Sequence, residues 1–132
     1  MITASLKNYR ISPRKFRVVA DMIRGRSVSD ARNILSAATK KARHPLSDLV
    51  DSAVANAKNN FSIDSGDKLV VKEIRVDQGF TLKRIMPVSR GSAHPIKKRT
   101  SNVSIVLALM EEKGGKERES RNKTAAKTRK SK

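Results

Sequence analysis

Between two runs that read as β-strands lies TLKRIMPVSRGSAHPIKKRTS, Thr81 to Ser101, with six Lys or Arg residues and no Asp or Glu. Loops beyond about 12 to 15 residues without structure of their own are uncommon in compact domains. The flanking runs are KLVVKEIRV, Lys68 to Val76, with Val70, Ile74 and Val76 on one face, and NVSIVLALM, Asn102 to Met110, with Val103, Ile105, Leu107 and Leu109 on one face. Symmetric pairing of the arms puts the midpoint near Ser89 and Arg90, and Gly91 then supplies the positive φ that a hairpin end often needs. The expectation is one continuous antiparallel hairpin over about residues 77–102. At about 3.3 Å per residue it extends on the order of 35 Å beyond the core.

A projection of that length cannot bury its own surface. Ile85, Met86, Pro87, Val88 and Ile96 place apolar groups on it, among the cations Lys83, Arg84, Arg90, Lys97, Lys98 and Arg99. Because a two-stranded ribbon is only marginally stable alone in water, this one is expected to order within a polyanionic surround that neutralises the cations and covers the apolar residues. Pro87 and Pro95 cannot donate ladder hydrogen bonds, which predicts an irregular tip rather than a continuous ladder.

The core must come from elsewhere in the chain. In SPRKFRVVADMIRG, Ser12 and Pro13 open a helix, Phe16, Val19, Ala20 and Ile23 recur at the spacing of one buried face, and Gly25 is a stop. Its other face carries Arg14, Lys15, Arg17 and Arg24, read as phosphate contacts and grouped with the preceding Arg10. A second helix, in SVSDARNILSAAT, is capped by Ser27 or Ser29 and has an apolar stripe of Ala31, Ile34, Leu35 and Ala38; Lys40 to Arg43 end it. A third begins near Pro45, with Leu46, Leu49, Val50, Ala53, Val54 and Ala57 at helical spacing and Asp48 and Asp51 outside. A turn-rich segment, Ser62 to Asp67, precedes the strands. Three helices on an antiparallel hairpin make an α+β fold, one domain over residues 1–110. From Glu111 to Lys132 no large apolar residue occurs, so nothing there offsets the entropy of ordering, and a basic disordered tail is expected.

Charge then selects the class of partner. With 30 Lys plus Arg against 12 Asp plus Glu, the formal net charge is +18. Such an excess resists compaction unless a polyanion neutralises it, and nucleic acid is the commonest polyanion in a cell. The rings are few, namely Tyr9, Phe16, Phe61 and Phe80, which favours contact with backbone and shape over base stacking. No cysteine is present, so a disulfide framework or thiolate metal site is excluded and a reducing cytoplasm is suitable. His44 and His94 each precede a proline and lie far apart; neither a metal pair nor a catalytic base is expected, and no cofactor or small-molecule substrate is implied. Asp21 lies among basic neighbours as an ion-pair partner, and KGGK, Lys113 to Lys116, lacks the pattern of a phosphate-cradling loop. No run of about 18 apolar residues exists, and Met1 to Arg10 lacks the apolar core of a secretory signal, so membrane and export readings fall away.

The segments ISPRKFRVVADMIRG, ARNILSAATKKARHPLSDLVDSAVANAKNN, VKEIRVDQGFTLKRIMP and KKRTS, in this order and spacing, resemble the bacterial form of the large-subunit ribosomal protein family numbered twenty-two, over roughly Ala4 to Leu109. The resemblance implies three helices on a short antiparallel sheet, with a long β-hairpin running into the ribosome's interior. It further implies a non-enzymatic cytoplasmic protein that binds large-subunit ribosomal RNA early in assembly. The globular part would sit near the mouth of the nascent-peptide exit tunnel, with the hairpin lining the tunnel beside neighbouring ribosomal proteins and the nascent polypeptide. Carried over position by position, Ser12, Pro13, Arg14, Lys15 and Arg17 belong to an RNA-facing first helix. Lys83, Arg84, Arg90, Gly91, Lys98, Arg99 and Thr100 belong to the hairpin, whose tip is Met86, Pro87, Val88, Ser89, Arg90, Gly91 and Ser92. Where many members carry further arginines around the central glycine, this chain has Val88, Ser92 and Pro95, and it adds Lys97.

Two rival classes make different demands. An architectural DNA-binding protein could also use a basic β-ribbon with a proline near its tip. A nuclease would need an acidic metal-binding cluster or a histidine pair, and neither is evident.

Overall fold

The computed structural model describes residues 1–63 and 68–110; the expected tail, and most of the turn-rich segment before the strands, lie outside them. Among the described residues six principal elements follow one another: β1 (Ile2–Tyr9), α1 (Pro13–Ile23), α2 (Val28–Ala37), α3 (Arg43–Phe61), β2 (Leu69–Pro87) and β3 (Ala93–Leu109). The strands form an antiparallel sheet in the order β1-β3-β2, so the last strand is the central one.

α1 starts as its sequence dictates. Ser12 is extended, Pro13 occupies the first turn, and Phe16, Val19, Ala20 and Ile23 are buried. Gly25 at φ +73 turns the chain back so that its N–H donates to the Val71 carbonyl at 2.9 Å, and the Val71 N–H donates to the Arg26 carbonyl at 2.9 Å. Only a residue tolerant of positive φ turns there without strain. In α2 the Ser27 hydroxyl accepts from the Asp30 N–H at 3.1 Å, the capping bond that satisfies an orphan donor of the first turn. α3 begins at Arg43, one turn-fraction ahead of the expected start near Pro45, and ends where Ser62 takes the left-handed conformation at φ 52. Arg32 of α2 and Asp51 of α3 pair at 2.6 Å on the exposed side, where such pairs contribute little.

The helices cover one sheet face. Ile2 and Ala4 of β1, Leu69, Val71, Ile74 and Val76 of β2, and Val103, Ile105 and Leu107 of β3 meet Phe16, Ile23, Leu35, Leu46, Leu49 and Val50 in one apolar cluster. Leu109, expected on the same face, lies at the strand end and is exposed.

Two sequence expectations need correction here. The ITASLKNY segment is a third strand, whose Ile2, Ala4 and Leu6 pair with Leu107, Ile105 and Val103. In β2 the buried set is Leu69, Val71, Ile74 and Val76, not Val70, Ile74 and Val76. The register shifts between Val71 and Glu73, so Lys72 is an extra residue that resets the alternation. A bulge lets two buried apolar residues flank it at odd spacing.

Candidate nucleic-acid interface

Beyond the core, β2 and β3 continue as a two-stranded ribbon. Their partners run Thr81 with Arg99, Leu82 with Lys98, Lys83 with Lys97, Arg84 with Ile96, Ile85 with Pro95, Met86 with His94, and Pro87 with Ala93. The ladder is therefore continuous to Pro87, contrary to the irregular tip expected from its prolines. The Val88 N–H donates to the Ser92 carbonyl at 3.0 Å. Counting back from that hydrogen-bonded pair, Pro87 with Ala93 and Ile85 with Pro95 fall at the alternate, non-hydrogen-bonded positions, where a strand's N–H points away from its partner. Both prolines thus occur where no ladder donor is required. The turn is a short 3-10 segment, Ser89–Gly91, with Arg90 at φ 60 and Gly91 at φ 70, at the expected midpoint.

Directly opposed residues share a face and successive residues alternate between faces. One face of the stem thus holds Lys83, Lys97 and Arg99, and the other holds Arg84 and Lys98. All five are exposed. Lys83 and Lys97 stand opposite each other at a non-hydrogen-bonded position, the closer kind, where like charges destabilise a ladder. No carboxylate lies between Thr81 and Ser101 to relieve them. Further out the charge stops. The rows Ile85 with Pro95, Met86 with His94 and Pro87 with Ala93 carry no Lys or Arg, Ile85 is 76% exposed, and Arg90 alone is cationic at the turn, among Val88, Ser89, Gly91 and Ser92.

The first helix divides its cations between two tasks. Arg14 and Lys15 are exposed in its first turn. Arg17 instead donates from Nε and Nη2 to the Val76 carbonyl at 3.3 and 3.1 Å, and Arg24 donates from Nη2 to the Ile74 carbonyl at 3.2 Å while Nη1 meets Asp21 at 2.7 Å. Both guanidinium groups thus close the outer edge of β2, leaving part of each available outward. Arg10 donates from Nη1 to the Lys98 carbonyl at 3.1 Å and so crosses onto the ribbon's flank. Ser12 is half-buried and its hydroxyl makes no capping bond; its carbonyl accepts from the Lys15 and Phe16 N–H groups.

Two of the expected contact residues are not on the surface. Pro13 is buried under the helix start, and Thr100 is 0% exposed, its hydroxyl donating to the Phe80 carbonyl at 2.7 Å. Thr100 lies opposite the second register shift, between Gln78 and Thr81, where its hydroxyl and the Asn8 side chain occupy the space a side chain on Gly79 would fill, a packing that sequence alternation does not reveal. Among the rings, Tyr9 stands edge-on to Phe16 with centroids 5.8 Å apart, while Phe61 and Phe80 are exposed on separate elements, at the end of α3 and the base of the ribbon. Among the described residues, no group of three or more His, Asp or Glu side chains converges as metal ligands would, and no helix is long and apolar enough to cross a membrane.

With this geometry in view, comparisons with known proteins are specific. Residues 4–108 match the model of the family described as ribosomal protein L22p/L17e. The chain is 52% identical over 103 residues to the large ribosomal subunit protein uL22 of Desulfitobacterium hafniense, covering 78% of this chain and 90% of that protein. It is 49% identical over 113 residues to the protein of the same name from Deinococcus radiodurans, covering 86% and 81% respectively. A further relative of that name, from Akkermansia muciniphila, is 48% identical over 110 residues, with 83% and 97% covered.

Proposed function

Because the chain belongs to the ribosomal protein L22p/L17e family, we propose that it is a non-enzymatic structural constituent of the large ribosomal subunit whose ribbon is embedded in large-subunit ribosomal RNA. Its globular part sits near the mouth of the nascent-peptide exit tunnel, the ribbon tip forms part of the tunnel wall, and neighbouring ribosomal proteins and the nascent polypeptide are its other contacts.

The observation that carries this reading is the charge distribution set by the register. Stem cations project from both faces of the ribbon, Lys83, Lys97 and Arg99 on one and Arg84 and Lys98 on the other. A ribbon lying flat on a polyanion would concentrate its cations on one face. A ribbon surrounded by phosphates places them on two. The rows beyond the stem carry no Lys or Arg, which suits a segment that has passed through the phosphate layer and faces a polar, largely neutral lumen. Ser12, Arg14 and Lys15 at the start of α1, with Arg10, add a second phosphate-facing group near the ribbon's base.

The test is to locate the chain in a density map of purified large subunits and to compete folded ribosomal RNA with duplex DNA at matched salt. RNA density on both ribbon faces, with the tip at the tunnel wall, is the expected result. A ribbon on the outer surface, or preference for duplex DNA, would overturn the proposal.

A further inference from the structure

Where the ribbon leaves the domain, the chain leaves no room for a side chain. A Cβ on Gly79 would collide with Thr100 Oγ1 and would lie 3.2 Å from Asn8 Oδ1 and 3.4 Å from the Thr100 carbonyl carbon. The residue type is dictated by close approach rather than by φ, since Gly79 is not among the positive-φ glycines. Gly79 and Phe80 form the bulge between the pairs Gln78 with Ser101 and Thr81 with Arg99. Thr100, buried opposite that bulge, donates its hydroxyl to the Phe80 carbonyl at 2.7 Å and so pins the extra residue across the ladder.

The end of β1 and the segment after it grip the same place from the other side. Asn8, in the left-handed conformation at φ 56, donates its N–H to Asn102 Oδ1 at 2.7 Å. The Ser101 hydroxyl donates to the Ile11 carbonyl, and Arg10 reaches the Lys98 carbonyl at 3.1 Å. The end of β1 is itself held down by Tyr9 against Phe16 of the core. Asn8, Arg10 and Ile11 thus touch β3 at Asn102, Lys98 and Ser101, flanking Thr100, and every one of these contacts falls at the junction between sheet and ribbon.

We propose that Asn8, Gly79 and Thr100 are positioning residues: together they form a bracket that fixes the direction in which the ribbon projects from the domain. A two-stranded ribbon has no third strand to limit its twist and bend. With about 30 Å of ribbon beyond the junction, a change of about 20° there would carry the tip about 10 Å sideways. The stem cations can meet a preformed set of phosphates only if that angle is held. The geometry stands without the RNA reading; its consequence for binding rests on it.

The chain has no cysteine, so nitroxide labels can be placed at Ile85→Cys on the ribbon and Asn59→Cys on α3 of the full-length protein, and their separation measured by double electron–electron resonance. The parent should give one distance population. Thr100→Val, which keeps shape and removes the donor, and Asn102→Ala, which removes the acceptor of the Asn8 N–H, should each broaden that population or displace it by about 5 Å or more. Thr100→Ser should retain the parent distribution. Gly79→Ala should show the largest change, and if it fails to fold, the Thr100 and Asn102 variants decide. Parent-like distributions in Thr100→Val and Asn102→Ala would overturn the bracket. A displaced ribbon with undiminished affinity for large-subunit ribosomal RNA would support the bracket and count against the RNA reading of the ribbon.

Discussion

Replacing Lys83 and Arg99 with glutamine removes two cations from one face of the ribbon stem, whereas replacing Arg84 and Lys98 removes two from the other. If phosphates surround the stem, the two double variants should behave alike. Each neutralised phosphate contributes roughly 0.7 to 0.9 to the slope of log affinity against log salt, so each pair should flatten that slope by about 1.5. Extrapolated from 1 M salt, where the electrostatic term vanishes, a slope change of 1.5 corresponds at 0.1 M to about thirtyfold weaker binding, or about 2 kcal/mol. The assay is filter binding or fluorescence anisotropy with a folded large-subunit ribosomal RNA fragment over a salt series. All four side chains are exposed and outside the apolar cluster, so thermal unfolding should remain within a few degrees of the parent. A slope change confined to one pair would show that the ribbon lies on RNA by a single face. No change in either pair would remove the stem from the interface altogether.

Three further outcomes follow from the same register. Deleting Ile85 to Pro95 with a short turn in its place should leave a cooperative thermal transition, because no residue between them is buried; loss of the transition would make the ribbon part of the core. Lys97→Glu should convert the opposed Lys83–Lys97 pair into an attractive one, stabilising the free ribbon by about 0.2–1 kcal/mol by amide hydrogen exchange while weakening RNA binding, and a change of the same sign in both would refute the opposition described. Arg17→Ala with Arg24→Ala should lower stability by about 1–2 kcal/mol in urea titration and flatten the salt slope less than either stem pair, since both guanidinium groups are engaged by the Val76 and Ile74 carbonyls; an equal or larger slope change would return them to the phosphate interface.

What the sequence revealed was governed by periodicity, and what it hid was governed by interruptions of periodicity. The helical faces of Phe16, Val19, Ala20 and Ile23, and of Leu46, Leu49, Val50, Ala53 and Ala57, were readable because a straight helix keeps its phase. In β2, one extra residue at Lys72 exchanged Val70 for Val71 on the core face, and Thr100 is buried opposite a second shift at Gly79 and Phe80, against a glycine with no side chain to displace it. Bulges leave no simple mark in residue type, although a glycine inside a strand, as at Gly79, is a usable signal. β1 was missed because ITASLKNY has only Ile2, Ala4 and Leu6 on its inner face, too small a set to stand out without its partner strand. The cations were visible as residues, but their division between stem faces, edge carbonyls and open surface was set by cross-strand register and by α1 lying along β2, both long-range properties. The prolines misled because the rule about missing donors depends on which side of the ladder each N–H would have faced, and that parity is fixed only by the turn.

The placement of the last strand in the middle of the sheet also bears on the order of events as the chain is made. Ile2 finds its partner only in Leu107, and Val71 shares that same partner from the other side. Until β3 exists, β1 and β2 have no common neighbour, and the apolar faces of three helices have no completed sheet to rest on. Helices with local contacts can form early, but a sheet closed by its final strand must wait for nearly the whole domain to be released, and long-range pairing of this kind is slow. Tertiary structure should therefore arise after synthesis of the domain rather than during it. Over that interval a strongly cationic, unclosed chain is exposed to every polyanion nearby, and a truncation anywhere before Leu107 would leave a protein that cannot complete its core.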